Sequence, residues 1–254
     1  MGRPLQHLQR EPLSGGEHLE SRGLRLACRR RPGREPTLVF LPGYASDMEG
    51  SKASALDAWA AERGRAMIRF DYAGCGASPG AFEAQTLEGW RDAALAAIDR
   101  VEGPVVLVGS SMGGWLMLLA ALARPERVKA LVGIAAAPDF TDWGFTEAQK
   151  KTIRETGRLV EPSPYGDDPH VTTRAFWESG ENLKLLGGPI PFAGPVRLLH
   201  GGADADVPWR ISLELMARLA SDDVRLTLVK GGDHRLSRED DIALLLATVE
   251  ELLR

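Results

Sequence analysis

The sequence predicts an α/β protein built on a mainly parallel, twisted sheet flanked by helices, and three observations predict it. From residue 37 onward, short β-rich runs alternate with stretches of helical period, which is the signature of βα units. The stretch "MGGWLMLLAALA", 112–123, is apolar all round, so a helix there must be covered on most sides by other elements. Finally, 254 residues at 44 % hydrophobic content suffice for one full core, and 28 glycines with 16 prolines imply many tight turns. Residues 1–254 are therefore expected to form a single domain.

The elements follow in order. The opening "MGRPLQHLQREPLSGGEHLE" lacks the apolar core of a signal peptide, and Gln6 stands where a myristoylation signal needs Ser or Thr; a surface arm is expected. "RGLRLACRR", 22–30, reads as an exposed antiparallel strand at the sheet edge. Strands are expected at "TLVFL" 37–41, "AMIRF" 66–70, "VVLVG" 105–109, "ALVGIA" 130–135, "VRLLH" 196–200 and "VRLTLV" 224–229. Between them, "SKASALDAWAAERG" ends on Gly64 as a helix with a C-terminal glycine does. Residues 86–101 set Leu87, Trp90, Ala94, Ile98 and Val101 on one face after a Thr86 N-cap.

About sixty residues separate the strand ending near Ala135 from the one beginning near Val196, too many for a plain crossover. Residues 138–194 are read as a lid. It holds a helix in "WGFTEAQKKTIRETGRLV", then the turn-rich "EPSPYGDDPH" and the Gly/Pro-rich "LGGPIPFAGP".

Composition narrows the function classes. A net charge of −4 gives no reason to expect nucleic acid, and the six arginines from Arg22 to Arg34 have no interleaved aromatics, so they read as a solvated strand and turn. Cys28 and Cys75 are the only cysteines, which excludes a disulfide framework and favours a reducing compartment. No apolar stretch approaches the roughly 20 residues that span a bilayer. The expectation is a soluble cytoplasmic protein with no stable membrane insertion.

The chemistry is carried by "VLVGSSMGGWLML", 106–118. Within it, "GSSMG" fits G-x-S-x-G with Ser111 at the centre, after a buried strand and opening a helix, the setting of a nucleophile elbow. Gly109 and Gly113 stand where neighbouring side chains would collide, and Ser110 is the turn residue before the nucleophile. A serine hydroxyl alone is a poor nucleophile, so an acid and then a histidine are required further along the chain. "HGGADADVPW" offers Asp204 and Asp206, and "KGGDHRLS" offers His234. His200 precedes the acid and is read as structural, whereas His7, His18 and His170 are read as surface residues. Two backbone N–H groups must hold a developing oxyanion; those of Met112 and of Tyr44, in "FLPGYASDMEG", are the candidates, with Gly43 permitting close approach. The Tyr44 ring is expected to wall the pocket. "FDYAGCGAS", 70–78, reads as a structural turn with Cys75 a bystander.

With "FLPGYASDMEGSKA", "IRFDYAGCGAS", "RLLHGGADADVPW" and "GGDHRLS" added to the elbow, the chain from about residue 22 resembles the α/β-hydrolase family, in particular the branch of mitochondrial acyl-protein thioesterases and acyl-glucuronide esterases and their bacterial relatives. The resemblance implies the α/β-hydrolase fold, a triad of Ser111, Asp204 and His234, and hydrolysis of acyl thioesters or esters on a small-molecule or protein-linked acyl donor. It selects Asp204 over Asp206, because the family's acid stands four residues after the position of His200.

The expected reaction is acyl transfer to water through an acyl-enzyme, with no metal or organic cofactor. Phe140, Trp143 and Phe145 at the start of the lid and Val207 after the acid are expected at the acyl site. The alternatives are a general short-chain carboxylesterase and a non-catalytic ligand-binding protein on the same fold.

Overall fold

Two consecutive antiparallel strands, β1 (Glu17–Ser21) and β2 (Leu24–Arg31), open the fold in a computed structural model that describes residues 17–162 and 169–254. They correct the expectation for the N-terminal region. The strand read from residues 22–30 is antiparallel, but β1 covers it on the outside, so it is not the edge. Leu26 and Cys28 are accordingly buried. Residues 17–20 belong to the sheet rather than to a surface arm, and His18 is half-buried in β1; His7 lies outside the described residues. The arginines of β2 are solvated through ion pairs, Arg29 with Glu49 at 2.6 Å and Arg31 with Asp57 at 2.9 Å.

The chain then enters the βα alternation. β3 (Arg34–Leu41) leads to α1 (Ser51–Glu62), β4 (Arg65–Phe70), α2 (Leu87–Asp99), β5 (Val105–Ser110), α3 (Met112–Ala123) and β6 (Val128–Ile134). Thr86 caps α2 by accepting a hydrogen bond from the Gly89 N–H at 3.0 Å. Gly64 takes a left-handed φ of +59° just past α1, a conformation that favours glycine.

Further along the chain come β9 (Val196–Gly201), α7 (Arg210–Arg218), β10 (Val224–Val229) and α8 (Glu239–Leu252). The eight-stranded sheet runs β1-β2-β4-β3-β5-β6-β9-β10 and is parallel from β4 onward. This is the mainly parallel sheet flanked by helices that the sequence predicts.

Side-chain alternation along the strands builds one core on each face. Val39 and Leu41 of β3 and Leu107 of β5 join Trp90 of α2 and Trp115 of α3. Their neighbours Leu38, Phe40, Val106 and Val108 pack on the other face with Leu56 and Trp59 of α1 and Leu245 and Val249 of α8. Central parallel strands are apolar on both faces for this reason. Residues Met112 to Ala121 of α3 are all buried, as an all-round apolar helix requires.

Between β6 and β9 the described residues form α4 (Phe140–Trp143), α5 (Glu147–Thr156), β7 (Arg158–Glu161), β8 (His170–Thr173) and α6 (Arg174–Glu181). The single helix expected over 143–160 is shorter: α5 starts at a Thr146–Gln149 capping box, and Gly157 at φ +86° ends it before β7. Part of the turn-rich "EPSPYGDDPH" stretch, residues 163–168, lies outside the described residues. The two ends of the segment are tied together by buried Asp139, whose carboxylate accepts the N–H groups of Leu185 at 2.8 Å and Leu186 at 2.7 Å.

Candidate active site

Ser111 sits between the last residue of β5 and the first of α3 with φ +55° and ψ −121°. A non-glycine residue at positive φ stores roughly 1–3 kcal/mol and persists only where surrounding structure imposes it. Here β6 imposes it: Ser111 N–H donates to the Ile134 carbonyl at 2.9 Å, and the Ser111 carbonyl accepts from Ala137 N–H at 3.1 Å and Gly114 N–H at 2.8 Å. A Cβ on Gly109 would strike the Gly113 carbonyl, and one on Gly113 would strike the Leu41 and Pro42 carbonyls. Gly114, which the motif does not require, is equally confined, since a Cβ there would meet Ala136.

The parallel strands deliver the other groups to the same end of the sheet. Ser111 Oγ lies 3.1 Å from His234 Nε2, and His234 Nδ1 lies 2.8 Å from Asp204 Oδ2. Asp204, the acid the resemblance selects, is the carboxylate hydrogen-bonded to His234. Its other oxygen, Oδ1, accepts the N–H groups of Asp206 and Val207, both at 2.9 Å. Burial works against a charge on Asp204, but hydrogen bonds from His200, His234 and the Val207 N–H outweigh it and hold the carboxyl well below the usual carboxylate range. Asp206 is exposed and does not cap α7, which begins after Trp209 with no side-chain cap.

The loops carrying Asp204 and His234 press together. A Cβ on Gly201 would collide with the carbonyls of Gly232 and Asp233. The His234 loop is further tied to α1 by Lys52, whose Nζ donates to the Arg235 carbonyl at 2.5 Å.

Gly43 comes so close to the elbow that a Cβ on it would lie 3.4 Å from Ser111 Cβ. The N–H groups of Tyr44 and Met112 find no protein acceptor among the described residues, and both residues line the cavity beside Ser111. Met112 also opens α3, where the helix dipole favours negative charge. The Tyr44 ring does more than wall the pocket. It packs edge-on against Phe82, Trp90 and Phe140, and its hydroxyl donates to the Val171 carbonyl at 2.8 Å. Cys75 is buried, and burial first, and then nearby Asp71 and Asp47, push its thiol up to about 12.

The cavity measures about 570 Å³ and lies between the elbow and the residues that follow β6. Phe140, Trp143 and Val207 line it; Phe145 is half-buried but is not part of its wall. Trp143 is held by a hydrogen bond from its Nε1 to the Pro138 carbonyl at 2.7 Å. His170, read as a surface residue, instead lines the cavity beside Tyr44 at a ring distance of 6.2 Å. No local motif marks it, because its place comes from the antiparallel pairing of β8 with β7. Among the described residues, Asp204, Asp206 and His234 bring three ligand-type atoms within 4.8 Å of one another. A cation there would compete with the hydrogen bonds His234 makes.

A serine on a strained turn, within reach of a histidine that an acid orients, is the arrangement the resemblance implies. The model of the alpha/beta hydrolase family matches residues 38–247. The chain belongs to the α/β-hydrolase family.

The hydrolase is 44 % identical over 233 residues to the palmitoyl-protein thioesterase ABHD10, mitochondrial, of Mus musculus, covering 90 % of this chain and 78 % of the relative. Among solved structures it resembles the mouse alpha/beta hydrolase domain-containing protein 10 with a TM-score of 0.88 at 41 % identity, covering 94 % of this chain and 98 % of that one. A putative hydrolase from Agrobacterium vitis S4 gives the same TM-score at 38 % identity, again over 94 % and 98 % of the two chains. These likenesses make the hydrolase an enzyme of ester-cleaving type. They also correct one expectation: the mouse and human relatives are named as mitochondrial, which overturns the cytoplasmic reading. No helix among the described residues is long and apolar enough to cross a membrane.

Proposed function

We propose that this hydrolase cleaves acyl thioesters and carboxylic esters through an acyl-enzyme on Ser111. One observation carries the reading: the continuous chain from Ser111 Oγ through His234 to Asp204, at 3.1 and 2.8 Å. His234 Nε2 takes the hydroxyl proton as Oγ attacks the acyl carbonyl, and Asp204 holds Nδ1–H and stabilises the imidazolium. The N–H groups of Tyr44 and Met112 receive the oxyanion. His234 then returns the proton to the leaving thiolate or alkoxide, and water attacks the acyl-enzyme by the same route. Residues 138–194 act as a lid over the cavity, and Phe140, Trp143 and Val207 contact the acyl chain. Relatives named as palmitoyl-protein thioesterases favour a long acyl chain carried as a thioester.

A fluorophosphonate probe with p-nitrophenyl ester turnover tests the reading. Labelling should occur at Ser111, and Ser111→Ala should lose both labelling and several orders of magnitude in kcat, while Ser110→Ala keeps substantial activity. Equal, mild losses in the two variants would sink it.

A further inference from the structure

His200 lies on β9 with its side chain fully buried, between the sheet and the loop that carries Asp204. Its ring nitrogens have assigned partners. Nε2 lies 3.0 Å from the Val207 carbonyl, which accepts but never donates, so Nε2 carries the proton. Nδ1 lies 2.7 Å from Ser212 Oγ, a hydroxyl that donates to the lone pair of the Nε2–H tautomer and thereby selects it. The protonated Nε2 also stands 3.2 Å from Asp204 Oδ2, the oxygen that accepts from His234. Val207 closes the circuit, with its carbonyl on His200 and its N–H on Asp204 Oδ1.

We infer that His200 is a positioning residue for hydrolysis: it anchors the acid loop through Val207 and sets an N–H against Asp204 Oδ2, holding the carboxylate in the orientation that receives His234. The inference rests on the proposed triad. The low pKa of Asp204, to which the His200 contact contributes, agrees with it. A buried histidine that merely fills space on β9 needs neither the Nε2–H tautomer nor Ser212 to choose it.

The test is a double-mutant cycle on p-nitrophenyl ester hydrolysis with His200→Leu, Asp204→Asn and the pair. If His200 acts through Asp204, His200→Leu loses about ten- to a hundredfold in kcat with KM little changed, and adds less than about twofold once Asp204 is already Asn. His200→Gln, whose amide donates from the position of Nε2, should recover most of the loss. Full activity in folded His200→Leu, or losses that multiply in the pair, would overturn the inference. Should His200→Leu not fold, Ser212→Ala decides: a several-fold loss in kcat that vanishes in the Asp204→Asn background supports it, and unchanged kcat overturns it. Fluorophosphonate labelling of Ser111 separates the two layers, because its absence in the wild type removes the triad itself, whereas labelling with a null cycle removes only the role of His200.

Discussion

Replacing Asp204 by Asn changes one atom of the side chain and, in this structure, leaves that atom nowhere to go. The groups hydrogen-bonded to the carboxylate all present hydrogens, Asp206 and Val207 N–H on Oδ1 and His234 Nδ1 on Oδ2, with His200 Nε2 a further 3.2 Å from Oδ2. An amide NH₂ on the Oδ1 side opposes two backbone donors. On the Oδ2 side it forces His234 to accept at Nδ1 and so to carry its proton at Nε2, facing Ser111 Oγ, where no base remains. The electrostatic loss comes in addition. With charge centres about 4 Å apart at an effective dielectric near 20, carboxylate and imidazolium attract by about 4 kcal/mol, or about 10³ in rate. With the wrong tautomer, the expected loss in kcat is about 10³–10⁴. Asp206→Asn should lose less than about tenfold, since the hydrogen bond to His234 Nδ1 comes from Asp204. The assay is p-nitrophenyl ester hydrolysis at saturating substrate, with thermal unfolding as a control for folding. An Asp204→Asn enzyme within tenfold of wild type, or a larger loss in Asp206→Asn, would refute the assignment of the acid.

Three further outcomes are expected. Gly113→Ala should destabilise the protein by at least about 1–3 kcal/mol, because the new methyl meets two backbone carbonyls that no rotamer change relieves; Gly187→Ala, with open space around it, should be close to neutral in the same denaturation series. If Phe140, Trp143 and Val207 contact the acyl chain, kcat/KM should rise with acyl length by up to about 0.8 kcal/mol per methylene until the cavity is filled, and Trp143→Ala should flatten that slope more than it slows acetate hydrolysis; an optimum at acetate untouched by the substitution would contradict the long-chain reading. A carboxyl whose pKa is lower folded than unfolded stabilises the fold above its unfolded value of about 3.9 and ceases to as pH falls through the folded pKa. The difference in urea midpoint between wild type and Asp204→Ala should therefore hold from neutral pH down to about 5 and narrow below about 4; a gap that widens on acidification would show that Asp204 is not charged in the fold.

The readings that succeeded were local. Helix α2 was legible down to its Thr86 cap because a cap and an apolar stripe are written in consecutive residues. Helix α5 was overextended because the helical pattern runs on through Gly157 into β7, and a single glycine at φ +86° marks the stop. His170 faces the cavity and Phe145 stands outside its wall for a common reason. Within an insertion lacking the βα rhythm, the facing of a side chain follows from how the segment folds back on the sheet, as Tyr44 shows by binding the Val171 carbonyl 127 residues away.

By itself the sequence determined the alternating fold and the serine that precedes α3, because each is carried by a short run of residues whose backbone demands are local. Only the tertiary structure decided that β1 covers β2, that Gly114 and Gly201 must stay bare, and that His200 faces the acid. Those facts are close approaches between segments far apart in the chain. Their physical cause is the packing of loops at one end of a parallel sheet, where the space each side chain is allowed is set by neighbours from other strands.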